Sequence, residues 1–69
     1  MVIVQVFCNG ETKEYTFNNL LDGLHWLKVT NVVFDYIVID YETTVTFEEF
    51  DGYFDKLNDF CRKVYGYHY

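Results

Sequence analysis

Residues 2–17 read VIVQVFCNGETKEYTF, and their reading decides the fold. VIVQVFC (2–8) is apolar and rich in β-branched residues, and ETKEYTF (11–17) alternates in polarity, so both are strand patterns. Between them, Asn9-Gly10 is the strongest short hairpin signal, because a type I′ turn needs positive φ at both central positions. A two-residue loop also fixes register, setting Cys8 opposite Glu11, Val6 opposite Lys13, Val4 opposite Tyr15 and Val2 opposite Phe17. One hairpin face is then Val2, Val4, Val6, Cys8, Tyr15 and Phe17, which must enter a core. The other face carries Ile3, Gln5, Phe7, Thr12, Glu14 and Thr16 and is mixed.

Working outward, NNLLDGLHWLKVTN (18–31) has apolar residues at 20, 21, 24 and 27, a helical period. Asn18 or Asn19 supplies its cap, and Asn31 its stop. Gly23 inside it costs up to about 1 kcal/mol against Ala. VVFDYIVIDY (32–41) predicts a strand, and Glu42–Thr44 a turn. The last element opens on Thr46-Phe47-Glu48-Glu49, a capping box with Val45 and Phe50 as its hydrophobic staple. Phe47, Phe50, Phe54, Leu57, Cys61 and Val64 follow at helical spacing, and Gly66 stands where a left-handed C-terminal residue belongs. A short fourth strand over 44–47 is the alternative for the residues before that helix.

The expected fold is therefore α+β, in the order β-β-α-β-α. A three-stranded mixed sheet, its third strand parallel to the first, packs with two helices. That element order resembles a β-grasp-type sheet of order 2-1-3. Two placements of the second helix remain open. If both helices cover the Val2/Val4/Val6 face and Ile37 and Ile39 point inward, then Phe7, Phe34 and Tyr36, with Ile3 and Val38, form an exposed face suited to a dimer. If the second helix lies on the opposite face, that patch is buried within the monomer.

A chain of 69 residues makes a single domain, and buries only about 60% of its unfolded surface. With 22% aromatic residues, packing is its credible source of stability. Net charge is −6, from eleven acids against five bases, which argues against direct nucleic-acid binding and against an anionic membrane surface. It favours a basic partner reached by electrostatic steering. The N-terminus lacks the pattern of a signal peptide, and no apolar run approaches the ~20 residues of a spanning helix. A cytoplasmic location is expected. Cys8 and Cys61 are read as free thiols acting as small hydrophobes, with a Cys8–Cys61 disulfide as the lesser alternative.

Chemistry leaves few marks. His25 and Asp22 lie one turn apart, and read as an ordinary polar helix face. His68 falls in a C-terminal YGYHY expected to be loose. The chain contains no serine. The acids of DGYFDKLND (51–59) have helical spacing rather than that of a calcium loop. No catalytic residue, metal or cofactor is therefore expected, and the chain is read as no enzyme.

What stands out is the acidic side of the last helix. Residues 46–60 hold five acids against one lysine. Glu48, Glu49 and Asp51 suit the helix dipole, whereas Asp55 and Asp59 lie past the first turn in like-charge i, i+4 pairs. Carboxylates one turn apart, about 5.4 Å, approximate the phosphate spacing of a nucleic-acid strand. In size and composition the chain resembles small acidic phage or mobile-element inhibitors, including DNA mimics and anti-CRISPR proteins. That resemblance implies a basic nucleic-acid-binding surface of a host protein as partner. The contact residues would be Glu48, Asp51, Asp55 and Asp59, with Tyr53, Asp40 and Glu42 at the rim. The alternative is a structural homodimer joined through Phe7, Phe34 and Tyr36.

Overall fold

A computed structural model describes all 69 residues. Its elements are β1 (Val2–Cys8), β2 (Glu11–Phe17), α1 (Leu20–Val29), β3 (Tyr36–Ile39), β4 (Thr43–Thr46) and α2 (Phe47–Tyr65). The first hairpin has the expected register, from Val2 opposite Phe17 to Cys8 opposite Glu11. Asn9 and Gly10 turn the chain with φ of 53° and 80°.

The class is α+β, but the sheet has four strands in the order β2-β1-β3-β4, and every pair is antiparallel. Two expectations are corrected here. The crossover through α1 joins β2 to β3, so its parallel relation holds between those two strands. Since β1 lies between them and opposes β2, it must oppose β3 as well. The fourth strand, the lesser alternative in the sequence, is real. It follows a tight turn in which Asp40 and Tyr41 take φ of 50° and 61° and the Glu42 N–H donates to Ile39 O at 3.0 Å.

Residues 32–35 are not strand but a climbing connection. Asn31, at φ 55°, ends α1 in a Schellman arrangement, with its N–H donating to Lys28 O and the Val32 N–H to Leu27 O. Asp35 then ties this end of the sheet together. Its N–H donates to Phe7 O, its carbonyl accepts from Phe47 N, and its carboxylate accepts from Asn9 N.

Both helices cover the same face. The buried set joins Val4, Val6, Ile37, Ile39 and Val45 of the sheet to Leu21, Leu24 and Leu27 of α1 and Phe50 and Phe54 of α2. Phe34 belongs to this core as well, only 3% exposed, packed edge-on against Phe47 and Phe50. Its expected place on the outer face is thereby overturned: position 34 precedes β3, so the alternation of that strand does not govern it. Cys8 and Cys61 are free and half-buried.

The opposite face of the sheet carries no helix. Two cross-strand rows run over it, Thr12–Phe7–Tyr36–Thr46 and Glu14–Gln5–Val38–Thr44, with Ile3 and Thr16 beyond. Beneath the helices, α2 outruns its support: 19 residues span about 28 Å, against about 14 Å for a four-residue strand. The C-terminal half of α2 packs on the core through Leu57 and Cys61, and the molecule measures 37 Å along its long axis.

Candidate protein-binding surfaces

The acidic side of α2 is held on a well-anchored helix. Thr46 Oγ1 accepts from Glu49 N at 3.4 Å, and Glu49 Oε1 accepts from Thr46 N at 3.2 Å, the reciprocal capping box of the sequence. The Thr46 hydroxyl bonded to Glu49 holds that carboxyl below its usual range. At the far end Gly66, at φ 71°, donates its N–H to Arg62 O.

With Glu49 committed to the cap, four acids remain in line. Asp59 is neutralised locally: Arg62 pairs with its Oδ1 and Lys63 Nζ lies 3.0 Å from its Oδ2. Those contacts, the Arg62 guanidinium first, hold the Asp59 carboxyl low. Both partners sit at i+3 and i+4 in the sequence. Glu48, Asp51 and Asp55 are exposed and have neither an ion-pair nor a hydrogen-bond partner. At 100° per residue they share one flank of the helix. Tyr53, two residues from both Asp51 and Asp55, therefore projects from the other side, half-buried against the core.

The acidic flank borders α1. Asp51 and Lys28 rim an open groove of about 420 Å³ whose floor includes Leu27, Phe34, Phe47 and Phe50. Lys28 Nζ sits 4.9 Å from the centroid of the neighbouring Phe54 ring, a cation–π contact. Two of the expected rim residues belong to the sheet. Asp40 and Glu42 occupy the β3–β4 turn, where the Asp40 carboxylate accepts from Ile3 N at 2.9 Å. That bond gives Asp40 a structural task.

The outer sheet face forms a second surface. Phe7 and Tyr36 stack there with ring centroids 4.6 Å apart. From its turn, Tyr41 reaches across β1 and donates its hydroxyl to Glu14 at 3.1 Å. The Glu14 carboxylate raises the Tyr41 pKa and also accepts from Gln5 Nε2 at 3.5 Å.

A third cluster went unseen in the sequence. The Tyr67 and Tyr69 hydroxyls both donate to the Asp22 carboxylate, which also accepts from Asn19 Nδ2. Tyr69 stacks flat on His25 at 3.7 Å, and its backbone is gripped on both sides by the Asn58 amide. The segment expected to be loose is thus a strap joining α1 to α2. The Tyr67 hydroxyl leads in holding Asp22 below its usual pKa, and Asp22 in turn raises Tyr67 and Tyr69.

These surfaces belong to a two-layer α+β domain, two helices on one face of a four-stranded antiparallel sheet. No protein-family model matches the chain, and no significant match occurs among curated proteins or solved structures.

Proposed function

We propose that the protein is a non-enzymatic binding module, a small acidic inhibitor of the phage or mobile-element kind. It occupies a basic nucleic-acid-binding surface of a host protein through the acidic flank of α2. The observation that carries this reading is the unpartnered state of Glu48, Asp51 and Asp55 on one side of a helix fixed at both ends. Their mutual repulsion lowers stability by a few tenths of a kcal/mol per close pair. A basic partner converts that repulsion into attraction.

The groove beside Asp51 fits the same partner. An arginine or lysine has an apolar stem and a cationic head. The stem suits the Leu27/Phe34/Phe47/Phe50 floor, and the head suits the Asp51 carboxylate with the aromatic rings beside it.

The reading is tested by capture from a bacterial lysate with two baits, wild type and Glu48→Lys/Asp55→Lys. The wild-type bait should retain a nucleic-acid-binding protein that added duplex DNA elutes. The double variant should lose it at least tenfold while its thermal midpoint stays within a few degrees. Equal capture by both baits, or capture indifferent to DNA, contradicts the proposal.

A further inference from the structure

We infer that the helix-free face of the sheet is a self-association surface, closing two copies of this chain face to face about a two-fold axis. This goes beyond the acidic flank of α2, which points away from the sheet and stays free in such a dimer.

Charge selects the occupant. The chain carries −6, so two copies repel wherever their acids meet. Among the strand positions of the outer face only Glu14 is charged, and Gln5 and Tyr41 already occupy its carboxylate. Like-charged copies approach there at least cost, whereas a basic partner finds little to hold. The sheet edges are less suited to pairing. β2 bears Glu11, Lys13 and Glu14, and β4 is four residues long, the features that discourage edge-to-edge addition.

A turn residue reaches onto the same face. Tyr41, at φ 61°, and Asp40, at φ 50°, are the central residues of the β3–β4 turn, which needs positive φ at both positions. The Tyr41 side chain crosses β1 to reach Glu14. Phe7 and Tyr36, stacked at 4.6 Å, make an aromatic surface of the type that anchors interfaces.

Size sets the strength. Four strands about 4.8 Å apart, and about 14 to 24 Å long, give a flat footprint of roughly 350 Å² per copy. That is below the ~800 Å² per partner of a standard interface, so the dimer is weak. Sheets packed in this way lie about 10 Å apart with strands within about 30° of aligned.

The test is sedimentation equilibrium of the full chain from 10 μM to 1 mM, in about 0.05 and 0.5 M NaCl. Salt screens repulsion between the copies, so the dimer should tighten severalfold at high salt, opposite in sign to binding of a basic surface. Val38→Glu and Thr44→Glu, each checked for fold by circular dichroism, should weaken association tenfold or more. Wild-type protein that stays monomeric at 1 mM in 0.5 M NaCl overturns the inference. So does a dimer that loosens with salt, or one that both folded variants retain.

Discussion

Gly23 lies where α1 crosses Phe17. A Cβ added there would meet Phe17 Cδ2 at 2.6 Å and Cγ at 2.9 Å. In the sequence this glycine reads only as a weakness of the helix. Its purpose depends on a residue of another element, which periodicity does not reach. Gly23→Ala should therefore destabilise by about 1–2 kcal/mol in chemical denaturation, overpacking of about 1–3 kcal/mol outweighing a helix gain of up to about 1 kcal/mol. A more stable variant would contradict this packing. Asp59 teaches the converse. Its pairing with Arg62 and Lys63 follows from i+3 and i+4 spacing alone, so that signal was present in the chain. It leaves Asp51 and Asp55 as the acids beyond the first helical turn that no contact accounts for. Tyr41→Gly removes a bulky side chain from a left-handed position and should stabilise by up to about 1 kcal/mol in chemical denaturation, while weakening self-association.

At the scale of elements, α2 was legible from cap to stop because its signals are local: the Thr46–Glu49 box, the phenylalanine stripe and Gly66. Thr46→Ala should cost about 1 kcal/mol, read as a lower urea midpoint with unchanged m-value. β4 was harder to see. Its turn uses Asp40-Tyr41 instead of glycine, and four residues carry too little pattern to separate strand from helix approach. The C-terminal strap was invisible, because it depends on tyrosines reaching a carboxylate more than forty residues away.

That strap has a signed pH dependence. Asp22 is depressed in the folded chain, so its stabilising contribution is complete above the unfolded carboxylate pKa of about 3.9 and is lost as pH falls through its lower folded value. Tyr67 and Tyr69 are raised, so theirs is complete below about 10 and lost as pH rises through their folded values. The strap should hold across neutral pH and open first in acid. Amide exchange at Tyr69, whose N–H donates to Asn58 Oδ1 at 2.8 Å, reports it. Protection should fall as pH drops below the unfolded carboxylate value of about 3.9 in the wild type and show no such step in Asp22→Asn. Equal protection of the wild type at pH 6 and pH 2.5 contradicts the assignment.

For the whole molecule, hairpin register and the alternation of β3 settled which residues face the helices. The sequence left the side of α2 open because its apolar stripe fits either face of a sheet. With both helices on one side, two surfaces of unlike chemistry point in different directions. One is the acidic flank of a rigid helix, the other a nearly uncharged aromatic sheet. A weak dimer joined through the second presents the first twice, which raises effective affinity for a partner that repeats its basic surface.

The central claim, that the α2 flank takes the place of nucleic acid, is tested most directly by displacement. A fluorescent duplex bound to the captured partner is titrated with this protein, and anisotropy is followed at several salt concentrations. The duplex should be released competitively, with an inhibition constant that weakens as salt rises and is at least tenfold poorer for Glu48→Lys/Asp55→Lys. A ternary complex in which the duplex stays bound while the protein binds would contradict it.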